Sequence, residues 1–114
     1  MNVNPLIISA LTSLSLPVYP NVYTGTANEY ITFNYADERP VLRADDTDLC
    51  DETVVQVHYF TLDGSKVQGK KKSIRNLLRA AGFSIGPTQE FYESDTKLTH
   101  VIVTASIEGV IDDD

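Results

Sequence analysis

The stretch from Glu52 to Gly82 constrains the fold most, because a strong strand pattern is followed there directly by a strong helix pattern. Residues 54–61 are β-branched and aromatic, and Val55, Val57 and Tyr59 would share one face of a pleated strand. The next four residues have turn chemistry, and either Asp63 or Ser65 could cap a following helix. The stretch therefore predicts a core strand that leads into a helix.

The helix pattern covers residues 66–81 and is amphipathic, with Gly82 at its end in a position that favours glycine. At 3.6 residues per turn, one side is apolar: Val67, Ile74, Leu77, Leu78 and Ala81. The opposite side is polar and mainly basic: Gln68, Lys72, Arg75 and Arg79. The helix can therefore pack on a sheet and present a basic stripe outward.

The other patterns add one helix and four strands. They are a helix from Asn4 to Leu14, a short extended piece at Val18 and Tyr19, and strands over 30–35, 88–92 and 99–107, with a hairpin turn over 93–97. This order predicts an α+β fold with a mainly antiparallel sheet of four to five strands and two helices packed on one face. At 114 residues, the chain is expected to form a single domain over residues 1–114.

Residues 36–51 are acidic, interrupted by Pro40 and without sustained periodicity, which predicts a long loop between two strands. Residues 110–114 are predicted to be an acidic tail.

The net charge of −7 conceals a strong segregation of charge. Six of the nine cations lie in the predicted helix, and residues 64–89 contain no acid. Such a domain is suited to contacts between copies of itself, basic surface against acidic surface, although the same pattern also serves solubility. Net acidity argues against general DNA binding, and no aromatic residue interleaves with the cations of the helix.

Catalytic, metal and cofactor sites are not predicted. His58 and His100 lie on predicted strands without further ligands at metal-binding spacing, and Cys50 lies among acids that would disfavour a thiolate. The acids near Asp45 lack the glycine and glutamate of a calcium loop, and no glycine cluster forms a phosphate-binding fingerprint. No apolar run is long enough to span a bilayer and no signal peptide is found, so a cytoplasmic protein is expected.

The order of motifs resembles that of the small tail-completion and tail-terminator (head-tail joining) proteins of long-tailed bacteriophages and prophages. The resemblance covers nearly the whole chain. It consists of the N-terminal helix followed by residues 16–19 (LPVY), then 29–33 (EYITF), the aromatic pair Tyr59 and Phe60, the basic helix, and a last strand opened by 99–101 (THV).

The resemblance implies a structural protein without enzyme activity that forms a ring, usually of six copies, at the head-proximal end of the tail. Its expected partners are further copies of itself, the tail tube protein and the head-tail connector protein, with DNA only as passing cargo. Its expected location is the virion, after assembly in the host cytoplasm. In such a ring the basic helix would contact a neighbouring copy or a tail partner through Lys71, Lys72, Arg75 and Arg79, and the acidic loop would face the tube or lumen through Asp45, Asp46, Asp48 and Asp51.

An alternative interpretation is a small ferredoxin-like binding or regulatory domain that acts as a monomer or dimer. That function would require a well-formed pocket, for which the sequence offers no converging polar set.

Overall fold

The structure is a computed structural model that describes residues 2–42 and 49–110. Two helices and five strands follow one another along the chain: α1 (Asn4–Leu11), β1 (Val18–Pro20), β2 (Glu29–Leu42), β3 (Leu49–Thr61), α2 (Val67–Ala80), β4 (Ser84–Glu93) and β5 (Leu98–Val110). A 3₁₀ turn extends α1 over Thr12–Leu14, and another precedes α2 over Gly64–Lys66. Within the described ranges, neither helix is long and apolar enough to cross a membrane.

The five strands form one sheet in the order β1-β2-β3-β5-β4. The short β1 runs parallel to β2, and the other three pairings are antiparallel. The predicted α+β fold with a mainly antiparallel sheet is therefore confirmed. The strand pattern that dominates the sequence is β3, which occupies the centre of the sheet.

The core lies between the sheet and the two helices, which cover the same face. It contains Val55, Val57 and Tyr59 of β3, as predicted, together with inward side chains of β2, β5, α1 and α2. From the helices come Val3, Ile7 and Leu11 near α1 and Val67, Ile74 and Leu78 of α2, all buried. Burying a side chain of this size stabilises the fold by about 1.5–3 kcal/mol. The apolar side predicted for α2 therefore faces the core.

Local chemistry sets the turns on either side of α2. Asp63 accepts hydrogen bonds from the Ser65 backbone N–H (3.0 Å) and hydroxyl (2.6 Å), and these bonds lower the pKa of the Asp63 carboxyl. At the other end, Gly82 has φ of +103°, a conformation that side-chain-bearing residues rarely adopt. The turn out of β3 and the turn into β4 therefore both fix the position of α2 on the sheet.

The predicted long loop over residues 36–51 is wrong in most of its extent. Residues 36–42 continue β2 and residues 49–51 begin β3, so the two strands form a long hairpin. Residues 43–48 lie outside the described residues. The pairing shifts between Tyr35 and Asp37, and such a bulge interrupts the alternation by which a strand is recognised. Pro40 is tolerated because β1 pairs only with residues 31–33, which leaves the rest of β2 at the edge of the sheet.

The predicted acidic tail begins one residue too early, because Val110 still belongs to β5. Residues 111–114 lie outside the described residues. The hairpin between β4 and β5 is confirmed, with its turn over residues 94–97, although β4 begins earlier than predicted, at Ser84.

Candidate functional site

The basic helix face, defined here as Lys71, Lys72, Arg75 and Arg79, runs along one flank of α2, from Lys71 beside strand β4 to the outward-pointing Lys72 and Arg79. Lys72 and Arg79 are exposed, while Lys71 and Arg75 are half-buried. Lys71 Nζ lies 3.0 Å from Glu90 Oε1 of β4, and Arg79 donates to Asn76 Oδ1 at 3.2 Å. The Nε atom of Arg75 is buried without a hydrogen-bond partner among the described residues. The four predicted residues therefore form one surface, and within the described part of the chain Lys72, Arg75 and Arg79 make no ion pair with a carboxylate.

This surface forms a shallow, open depression rather than a ligand pocket. Its lining consists of the basic helix face with Gln68 and Asn76. Small-molecule sites are typically concave and mostly apolar, with a few polar groups for orientation. A lining of long polar and cationic side chains instead suits an acidic macromolecular surface.

Of the predicted acidic contact loop, the structure describes only Asp51. Asp45, Asp46 and Asp48 lie outside the described residues. Asp51 lies in β3, between Pro40 of β2 and Gly109 of β5, and is therefore part of the sheet rather than of a loop.

A second surface, not predicted from the sequence, covers the sheet face that carries no helix, called here the open face. Six rings cross it in a continuous aromatic row: Tyr19 of β1, Tyr23 of the following loop, Tyr30 of β2, Phe60 of β3, His100 of β5 and Phe91 of β4. The first five rings succeed one another at centroid distances of 4.2–5.3 Å, and Phe91 lies 6.2 Å from His100. The two ends of the row are the most exposed, at 49% for Tyr19 and 48% for Phe91.

The register of the sheet builds this row. Tyr30 pairs with Phe60, Phe60 with His100, and His100 with Phe91, so that the rings of β2, β3, β5 and β4 follow one another. Tyr19 of β1 joins this row through Tyr23. Because Val55, Val57 and Tyr59 were predicted to share the core face, the alternation in β3 already indicated that Phe60 faces away from the core. The row could not be recognised from the sequence, because the register between strands was unknown.

A chain of polar contacts runs beside the aromatic row. His58 Nε2 lies 2.7 Å from Asn34 Oδ1, and His58 Nδ1 lies 2.7 Å from His100 Nε2. Asn34 Nδ2 is directed at the acceptors Gln56 Oε1 and Tyr35 O, both at 3.4 Å, which makes Asn34 Oδ1 the acceptor for His58. Nε2 of His58 therefore carries its proton, and Nδ1 accepts from His100.

The other ring nitrogen of His100 completes this chain. His100 Nδ1 lies 3.2 Å from Glu93 Oε2, so a protonated His100 donates both to the Glu93 carboxylate and to a neutral His58. Burial, and then the charge of His100, lower the pKa of His58. Burial also raises the pKa of Tyr30, with smaller contributions from Glu93 and Tyr23. When both ring nitrogens of His100 carry a proton, every contact in the chain has one donor and one acceptor.

This geometry offers no catalytic constellation. The hydrogen-bond partners recorded for the two imidazoles in the described part of the chain are an amide, a carboxylate and each other, and none of these is an activated nucleophile. Within residues 2–42 and 49–110, no group of three or more histidine, cysteine or acidic side chains is arranged to hold a metal ion. The two histidines serve as sheet residues with satisfied hydrogen bonds, and the two surfaces are suited to binding other macromolecules.

Comparison with protein-family models and with curated proteins finds no match. Among solved structures, the fold is similar to that of a chain in the virion of a native gene transfer agent particle, with a TM-score of 0.53 and 14% sequence identity. The similarity covers 88% of this chain and 84% of that chain. At this identity the comparison establishes a shared fold.

Proposed function

We propose that the protein is a non-enzymatic structural component of a phage or phage-like virion, which forms a ring at the head-proximal end of the tail. In this role it terminates the tail tube and joins it to the head connector. The observation that carries the proposal is the shared fold with a chain of a gene transfer agent virion over 88% of this protein. The order of sequence motifs supports the finer assignment to the tail-completion and tail-terminator proteins.

The shape and the lining of the two candidate surfaces favour assembly with other proteins over binding of a small ligand. Both candidate surfaces are open and broad, and the depression on α2 is lined by long polar and cationic side chains. This lining does not favour the alternative of a small ligand-binding domain.

The proposed partners are further copies of the same chain, most simply six, together with the tail tube protein and the head-tail connector protein. The basic helix face would contact acidic groups of a neighbouring copy or of a tail partner. The acids at positions 45–51 would contact the tube or line the lumen, where negative charge would keep passing DNA from binding. The protein would assemble in the host cytoplasm and reside in the virion.

The test is the mass of the purified protein in low salt, alone and with assembled tail tubes, followed by electron microscopy of the larger species. We expect rings, or density confined to one end of each tube. The variant Lys72→Glu with Arg79→Glu changes two exposed side chains and should abolish ring formation without unfolding the monomer. Lys97→Glu, in the exposed turn before β5, is the control for a reversed cation elsewhere.

A protein that stays monomeric or dimeric and ignores tail tubes would refute the ring. Rings that persist in the Lys72→Glu and Arg79→Glu variant would leave the ring intact and refute the assignment of its interface.

A further inference from the structure

The open face is unusually aromatic for a sheet surface that meets water. An antiparallel sheet with one solvated side normally presents polar residues there. Here a row of rings crosses all five strands, and its ends at Tyr19 and Phe91 are about half exposed. Contiguous apolar surface of this kind marks an interaction site in a soluble protein.

The open face also carries negative charge. Among the described residues, the strand positions on this side include the acids Asp37, Glu52, Glu93 and Glu108 and a single arginine or lysine, Arg39. Glu52 and Glu108 are directly opposed on neighbouring strands, an arrangement that destabilises a sheet when both carry charge. Arg39 Nε lies 2.9 Å from Glu52 Oε1 and compensates that carboxylate. Glu108 is exposed on the strand that lies on the other side of Glu52.

The opposite side of the molecule has the complementary chemistry. Helix α2 contains five cations and no acid, and Lys72 and Arg79 extend from it into solvent. Guanidinium groups stack on aromatic rings and pair with carboxylates, so an arginine-bearing helix matches a surface that offers both.

We propose that the open face of one copy binds the basic helix face of the next copy, with the aromatic row and the acids Glu93 and Glu108 as the receiving surface. This inference rests on the proposed function, since it identifies the two surfaces that join in the ring. The surfaces lie on opposite sides of a two-layer domain, so each copy can bind one neighbour through its basic helix face and another neighbour through its open face. Such a heterologous contact closes into a ring when the rotation between copies permits.

A competing occupant is single-stranded nucleic acid, because bases also stack on exposed aromatic rings. The acids on the open face disfavour it, since phosphates would lie against carboxylates. The basic helix face of a second copy complements both the aromatic rings and the carboxylates of the open face.

The experiment mixes two variants that each lack one surface. The helix variant carries Lys72→Glu and Arg79→Glu, and the sheet variant carries Phe91→Lys. Because all three residues are exposed, both monomers should keep wild-type circular dichroism and thermal unfolding. Each variant alone should associate at least about tenfold more weakly than wild type by analytical ultracentrifugation in low salt, as expected when an interface anchor is lost.

Mixing the two variants should restore association, because the helix variant retains an intact open face and the sheet variant retains an intact helix face. Tyr92→Lys is the matched control for Phe91→Lys, since it changes the adjacent aromatic residue, which is 66% exposed and lies on the other side of the same strand. Lys97→Glu is the control for the helix variant. Both controls should associate as the wild type does.

Four outcomes would overturn the inference. They are no self-association of the wild type even at millimolar concentration, wild-type association of either variant alone, a mixture that remains monomeric, and binding of oligothymidylate to the wild type that Phe91→Lys weakens and that competes with self-association. The proposed function fails separately. Copies that associate through these two faces but form open chains, and do not attach to tail tubes, would support the interface and refute the tail ring.

Discussion

Removing the hydroxyl of Tyr59 tests how the centre of the sheet is tied to the start of the basic helix. The Tyr59 side chain is fully buried, and its hydroxyl donates to the Glu29 carboxylate, which lies 3.6 Å from Lys66 Nζ at the beginning of α2. Tyr59→Phe keeps the buried ring and removes this bond. A hydrogen bond to a charged group contributes about 1.5–3 kcal/mol, and we expect a loss of about 2 kcal/mol because Glu29 keeps its contact with Lys66. With a urea m-value of about 1.5 kcal/mol/M, the unfolding midpoint would fall by roughly 1.3 M.

The pH dependence gives this prediction a second readout. Burial, and then the hydrogen bond to Glu29, raise the pKa of Tyr59 above its ordinary value of 10.0. The unfolded chain therefore loses the phenolic proton first, and the contribution of Tyr59 to stability is present below that value and declines as the pH rises above it. The difference between wild type and Tyr59→Phe should narrow in alkaline urea titrations. The control is Tyr92→Phe, at an exposed position, which should change stability by less than about 0.5 kcal/mol. Equal stabilities of the two variants at neutral pH would refute the reasoning.

Two further predictions concern His58 and the glycines around α2. The pKa of His58 is lowered below its ordinary value of 6.5, so the unfolded chain binds the proton more readily, and the free energy of unfolding should be retained above that value and fall as the pH drops through the lowered pKa. In urea titrations at a series of mildly acidic pH values, the free energy of unfolding should fall less steeply with decreasing pH for His58→Gln than for wild type. The same pH dependence in both proteins would contradict this prediction. Gly82→Ala should cost about 1–2 kcal/mol because of its positive φ, whereas Gly69→Ala, in the helix interior with open space around its Cβ, should stabilise by about 0.5–1 kcal/mol. If the midpoint of thermal unfolding shifts in the same direction for both glycine variants, these two predictions are refuted.

The local sequence pattern was sufficient to predict β3 and α2, two elements that contribute side chains to the core. Alternation in β3 and the 3.6-residue period in α2 both reflect burial on one side, and the buried Val57 and Ile74 obey these patterns. The basic helix face follows from the same period, because the side opposite the core must face solvent. These features depend on neighbours within a few residues of one another in the sequence.

The hairpin and the aromatic row depend instead on pairing between distant parts of the chain. The register shift after Tyr35 breaks the alternation of β2, and Pro40 resembles a strand breaker unless the strand is known to lie at the edge. Likewise, Phe60 and His100 become neighbours only through the register between β3 and β5. Composition cannot indicate which of the rings on separate strands will meet.

The exposed edge of β2 has a consequence for the protein before assembly. Beyond Asn34 this strand has no neighbour on its outer side within the described sheet, and a long bare edge is a template for uncontrolled aggregation between chains. The bulge, the charged residues 37–39 and Pro40 all make such pairing unfavourable. Unassembled copies of the chain in a crowded cell would thus be protected from fibre formation, while contacts through side chains on the two broad faces remain available.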